Sequence, residues 1–160
     1  MAAKKSKEPS DIKLIAQNRK ARHLYHILEV FEAGLVLTGT EVKSLRAGKA
    51  SLGDSYAVLE GSELWLHKLH IGHYEQGNRF NHEILRRRKL LLNAREIRKL
   101  LGKVQEKGLT IVPTKIYFKK GWAKVEIAVV KGKKDFDKRQ DLAKRDADRD
   151  MERAMSRKNR

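Results

Sequence analysis

Lys115-Ile116-Tyr117-Phe118-Lys119-Lys120-Gly121-Trp122-Ala123-Lys124-Val125-Glu126-Ile127-Ala128-Val129 carries the pattern that decides the fold. Ile116 and Phe118 alternate with Lys115, Tyr117 and Lys119, while Val125, Ile127 and Val129 alternate with Lys124, Glu126 and Ala128. This is the two-residue period of half-buried strands. Lys119-Lys120-Gly121 between the runs supplies the turn residue of a hairpin. Upstream, further strands are predicted at Leu24 to Phe31, Leu35 to Leu37, Tyr56 to Leu59 and Leu64 to Ile71. Pro113 cannot donate to a ladder and marks an edge or the start of a strand.

Two helices interrupt the strands. Asn93-Ala94-Arg95-Glu96 is a capping box with Glu96 at its fourth residue, and Leu92 and Ile97 flank it as a hydrophobic staple. Ile97, Leu100, Leu101 and Val104 make the inner face, Gly102 weakens the helix and Gly108 ends it. A shorter helix starts with Thr40 as N-cap, buries Val42 and Leu45, ends near Gly48 and leaves Lys43 and Arg46 exposed. The expected fold is therefore mainly β: a small antiparallel barrel of the oligonucleotide-binding (OB) type with two to three helices. The strand pattern alone leaves a sandwich open. Residues 1–17 read as a flexible basic arm, 18–130 as the barrel and 131–160 as a tail.

The charge balance points to the partner. The 160 residues carry 37 Lys or Arg against 20 Asp or Glu, a net charge of +17, which calls for a polyanion. The segment Lys131 to Arg160 has twelve basic and seven acidic residues, and its bulky apolar side chains are Phe136, Leu142, Met151 and Met155. These bury too little surface to offset the entropy of ordering the segment, so the tail is expected to be disordered when free. Ala143, Ala147, Met151, Ala154 and Met155 nevertheless share a helical stripe, which suits folding against nucleic acid. Arg86, Arg87, Arg88 and Lys89 form an internal basic run. No stretch is long and apolar enough to span a membrane, neither terminus shows a lipidation motif, and there is no signal-peptide core and no cysteine. The expected location is the cytoplasm.

Asn18-Arg19-Lys20-Ala21-Arg22-His23 is a dense set of phosphate donors, with His23 able to stack on a base; a solvated basic arm explains the same composition. Glu32, closing the first strand before Gly34, orients a turn on pattern alone, and beside a basic surface it can accept from a base amino group. Trp65, Tyr74, Tyr117 and Trp122 are candidates for stacking on unpaired bases, although the neighbours of Trp65 place it in the core. The six histidines lack metal-site spacing, and neither nucleophile elbow nor P-loop is present, so no enzyme activity, metal or cofactor is expected. A general RNA-binding or ribosomal protein and a metal-dependent nuclease are the rival readings.

These strings together resemble one family. Asn18 to His23, Phe31-Glu32-Ala33-Gly34, Gly39 to Gly48, Asp54-Ser55-Tyr56, Arg88-Lys89-Leu90-Leu91-Leu92, and Gly132-Lys133-Lys134 with Asp137-Lys138-Arg139 are similar, in order, to the bacterial SsrA-binding proteins (small protein B). The resemblance implies an OB-type barrel that binds the tRNA-like domain of transfer-messenger RNA and delivers it to stalled ribosomes for trans-translation, rescuing them and tagging incomplete proteins. It implies RNA-binding roles for Asn18, Glu32 and Leu91, with Arg19, Lys20, Arg22 and His23 beside them. Gly132, Lys133, Lys134, Asp137, Lys138 and Arg139 match the tail segment for ribosomal accommodation, and Met155 joins them further along the tail. The implied partners are transfer-messenger RNA and the decoding centre and mRNA channel of the small ribosomal subunit. Elongation factor Tu and alanyl-tRNA synthetase act indirectly, and the tail becomes helical in the empty channel. His70-Ile71-Gly72-His73-Tyr74 departs from the family's usual proline before the tyrosine, and beyond Arg139 the tail matches in character alone.

Overall fold

The structure, a computed structural model, describes residues 11–106 and 108–159. Its elements are β1 (Ile12–Gln17), α1 (Lys20–Leu24), β2 (Tyr25–Leu35), α2 (Gly39–Arg46), β3 (Ala50–Ser51), β4 (Tyr56–Glu60), β5 (Glu63–His67), β6 (His70–Ile71), a 3-10 segment (Glu75–Phe80), β7 (Arg88–Leu91), α3 (Ala94–Val104), β8 (Leu109–Lys119), β9 (Trp122–Gly132) and α4 (Asp135–Lys158).

The predicted hairpin is β8–β9, and it organises the rest. Lys119 pairs with Trp122 across a two-residue loop in which Lys120 and Gly121 both have positive φ, 50° and 79°. That geometry matches the twist of the flanking strands, and glycine enters it without a steric penalty. From β8 the antiparallel neighbours run β4, β5, β7, β2 and β9, and β9 pairs back onto β8. The ring of partners makes this a closed barrel and removes the sandwich alternative. Closure on one side rests on the Ala57–Ile111 pair between β4 and β8.

Alternation along each strand fills the barrel. Phe31, Leu64, Leu66, Leu90, Ile111, Ile116 and Ile127 are buried inside, joined by Leu45 from α2 and Leu100 from α3. Ala21, Val112, Ala128 and Val130 form a second, smaller cluster. It lets the short α1 sit on the outer wall of β8 and β9.

Several boundaries differ from the sequence reading. Residues 12–17, assigned to a flexible arm, form β1, whose register with β8 runs from Ile12–Lys119 to Gln17–Lys115; residues 1–10 of that arm lie outside the described residues. The α2 cap is Thr38, not Thr40: its amide donates to Glu41 Oε2 at 2.9 Å in a capping box. Leu64 to Ile71 divides into β5 and β6 because Lys68 takes a positive φ of 58°. β9 continues through Gly132, past the expected end of the barrel. The Asn93 capping box and the start of α3 are as expected, but the helix ends at Val104 with Gln105 as its C-cap, ahead of Gly108, and Leu101 is exposed.

Candidate nucleic-acid interface

The outer wall of β2, β9 and β8 collects the candidate residues. Along β2, Phe31 and Ala33 point into the core while Val30 and Glu32 are exposed. Glu32 is opposite Glu126 on β9, which is opposite Lys115 on β8. At one end of this wall, the backbone amide of Asn18 donates to the Thr114 carbonyl at 2.7 Å and its side-chain amide donates to the Pro113 carbonyl at 3.2 Å. These carbonyls border a bulge between Pro113 and Lys115, where the ladder leaves groups to be satisfied. Asn18 thereby fixes the start of α1 on β8. Asn18, Arg19 and Arg22 line a cleft of about 540 Å³ together with Val30, Lys115 and Glu126. Lys20 faces the Ser51–Gly53 side of α1 instead, and His23 is half-buried.

Glu32 occupies the middle of the wall. It accepts a hydrogen bond from the Tyr117 hydroxyl and lies 3.4 Å from Lys119 Nζ. The Tyr117 bond, with the charges of Lys119 and Lys124, holds its carboxyl below the usual range against the opposing effect of burial. Burial and the Glu32 bond together push the Tyr117 phenol up. The wall thus carries an ionised acceptor among lysines, able to receive a base amino group. Tyr117 itself is buried, so its ring is not open to stacking.

The far end is apolar. Gly34 pairs with Leu91 of β7, and a Cβ on Gly34 would lie 3.3 Å from the Leu91 Cβ. Because Gly34 shares the outward side with Glu32, Leu91 is on that side too, 51% exposed. The wall therefore brings Asn18, Glu32 and Leu91 onto one continuous face. Its neighbour Leu90 points the other way and is buried. Lys115, Lys124 and Glu126 were not singled out as site residues; the register of the Lys120-Gly121 turn is the signal that puts them there.

The internal basic run is differently employed. Arg88 is fully buried; it donates from Nε to Glu41 Oε1 at 2.9 Å and from Nη1 to the Leu69 carbonyl at 2.6 Å. Arg86 grips the same carboxylate with two donors, at 2.9 and 2.8 Å. Arg87 pairs with Glu60 and lies 4.3 Å over the Trp65 ring, and Lys89 pairs with Glu63. Glu41, reaching back from α2, is what the sequence concealed. Trp65 is half-buried beneath Arg87 and not in the core; Tyr74 is half-buried with Lys43 Nζ 5.3 Å from its ring centre.

The histidines are dispersed among structural contacts. His82 Nε2 donates to the Ile71 carbonyl at 2.9 Å, so the neutral ring accepts at Nδ1 from the Thr40 hydroxyl, also at 2.9 Å. His67 stacks on Tyr56, and His26 lies 3.4 Å from Asp137. Among the described residues no three His, Cys, Asp or Glu side chains are grouped as metal ligands.

The tail leaves the same wall. The Lys133 amide donates to the Leu24 carbonyl at 2.9 Å, and its ammonium donates to the Arg22 carbonyl at 2.8 Å and pairs with Asp141. Gly132 ends β9; Lys134 caps α4, and Asp137, Lys138 and Arg139 lie in its first turns. The sequence reading has this segment disordered when free and helical when bound; the structure has the helix. Asp135 and Asp137 complement the positive end of its dipole; the Asp137–His26 contact ties its root to β2, and Asp141 is linked to α1 through Lys133. No residue of α4 is buried, and Met151 and Met155 are exposed. Among the described residues no helix is long and apolar enough to cross a membrane.

The family model described as SmpB protein matches residues 15–157. An SsrA-binding protein of Desulfitobacterium hafniense is 62% identical over 142 residues, covering 89% of this chain and 91% of the relative. One from Carboxydothermus hydrogenoformans is 60% identical over 143 residues, covering 89% and 96%. A solved chain from "tmRNA-SmpB: a journey to the center of the bacterial ribosome" is 52% identical with a TM-score of 0.64, covering 79% of this chain and 87% of that one.

Proposed function

Since the chain belongs to the SmpB protein family, we propose that it binds transfer-messenger RNA and carries it to stalled ribosomes in trans-translation. The observation that carries the reading in this molecule is the single face joining Asn18, Arg19 and Arg22 to Glu32 and Leu91. Cationic groups at one end hold phosphates and set orientation, the ionised Glu32 accepts from a base edge, and Leu91 offers an apolar contact. A folded RNA with exposed loops suits such a wall better than a regular duplex, whose deep groove side chains cannot read.

The tail serves the second half of the task. Gly132, Lys133, Lys134, Asp137, Lys138 and Arg139 set the root of α4, and the exposed helix carries Met155 into the vacant mRNA channel beyond the decoding centre. The segment beyond its anchored root is disordered in the free protein and takes its helix there. The protein performs no reaction itself; elongation factor Tu and alanyl-tRNA synthetase serve the RNA, in the cytoplasm. Sequencing the RNA that co-purifies with the protein, with a competition titration against bulk tRNA, tests the reading. Enrichment of transfer-messenger RNA and weak competition are expected; equal binding of structured RNAs would instead identify a general RNA-binding protein.

A further inference from the structure

Trp122, the first residue of β9, is 73% exposed, an unusual setting for the largest aromatic side chain. It lines a shallow cleft of about 400 Å³ with Gly34, Leu91, Phe118, Gly121 and Lys124. The cleft continues the wall that holds Glu32, since Gly34 follows Glu32 on β2 and pairs with Lys124 on β9. The two-residue Lys120-Gly121 turn and the Lys119–Trp122 pair hold the indole on a rigid strand end. Lys119 is its ladder partner, Lys120 lies in the adjoining turn and is exposed, and Lys124 lines the same cleft.

We propose that Trp122 is a stacking platform for one unpaired base of the RNA bound on this face, with Leu91 flooring the cleft beside it. The inference rests on the RNA-binding reading and adds a residue and an occupant to it. The lysines select the occupant: an apolar protein surface gains nothing from a cationic rim, whereas a nucleotide offers a π face to the indole and its phosphate to the ammonium groups of Lys120 and Lys124, Lys119 being engaged by Glu32. A paired base hides its faces in the helix, so the occupant is an unpaired one. Gly34 keeps the cleft open, because any side chain there would press on Leu91.

The test uses the full chain and transfer-messenger RNA. The protein has two tryptophans, so Trp65→Phe leaves Trp122 as the sole indole emitter. Its fluorescence is expected to be quenched at RNA saturation. In the parental background, Trp122→Ala is expected to weaken binding roughly 5- to 100-fold with the salt dependence unchanged, and Trp122→Phe to recover most of the loss. Thermal melts confirm that each variant folds. Unchanged emission at saturation, or parental affinity in Trp122→Ala, overturns the platform while leaving RNA binding by the wall in place. A Trp122→Ala protein that binds RNA normally but fails on the ribosome overturns it in favour of a ribosomal contact. A parent that binds no transfer-messenger RNA removes the underlying reading itself.

Discussion

Lys133 and Asp141 form an ion pair across the first turns of α4, and the same ammonium donates to the carbonyl of Arg22. The tail's direction is thereby linked to the helix that presents Arg19 and Arg22. Lys133→Met and Asp141→Asn are each expected to speed hydrogen exchange in the first two turns of α4, and the double variant is expected to match either single one. Additive effects in the cycle would contradict the link. The Lys133 hydrogen bond holds the Asp141 carboxyl below its ordinary range. The contact is therefore complete above that range and lost as pH falls through the lowered value. A carboxyl titration followed by NMR should move up toward the ordinary value in Lys133→Met, the charges of Arg145 and His26 remaining.

Truncation after Lys134 spares β9 and the Lys133 amide bond to Leu24. Such a protein is expected to bind transfer-messenger RNA with near-parental affinity and to lose tagging on stalled ribosomes. Parallel loss of both activities would show that α4 belongs to the RNA interface.

Glu41 and Arg88 are both fully buried, and an uncompensated buried charge is costly. Glu41→Gln leaves Arg88 without its counter-ion and is expected to destabilise the fold by about 3 to 5 kcal/mol in urea unfolding. Burial works to raise the Glu41 carboxyl, but bonds from Arg86 and the Thr38 amide and the charges of both arginines prevail and lower it. Its contribution is present above the unfolded carboxylate value and disappears as pH falls through the folded one, so the wild-type protein loses this stability in acid. A variant as stable as the parent would mean the pair contributes nothing net.

Salt titrations separate the basic clusters. Each phosphate contact contributes roughly 0.7 to 0.9 to the slope of log affinity against log salt, so Arg22→Ala should reduce the slope by about that amount. Arg87→Ala, which removes a side chain already paired with Glu60 and stacked on Trp65, should leave it unchanged. The reverse result would move the RNA to the β4–β5–β7 side.

The parts of this molecule that could be read from sequence are the local ones. The β8–β9 hairpin and the Asn93 capping box are written within a few consecutive residues, where side-chain period and turn chemistry act directly. β1 was missed because Ile12 and Leu14 stay exposed and its pairing partner lies about a hundred residues on. Arg88 read as one more member of a basic run because its neutralising carboxylate is 47 residues away on another element. Tyr117 read as a stacking ring because nothing local shows that Glu32 takes its hydroxyl. Placing Asn18, Glu32 and Leu91 as neighbours on one wall required the register of β2 with both β7 and β9.

Backbone amide shifts of the full chain, followed by NMR as the tRNA-like domain of transfer-messenger RNA is added, test the central claim most directly. The expected changes fall on α1, on Val30 to Gly34, on Leu91 and on the outward positions Lys115, Trp122, Lys124 and Glu126. Changes centred instead on Lys43 and Arg46 of α2 or on Arg95 and Arg98 of α3, with the β2–β9–β8 wall silent, would contradict it.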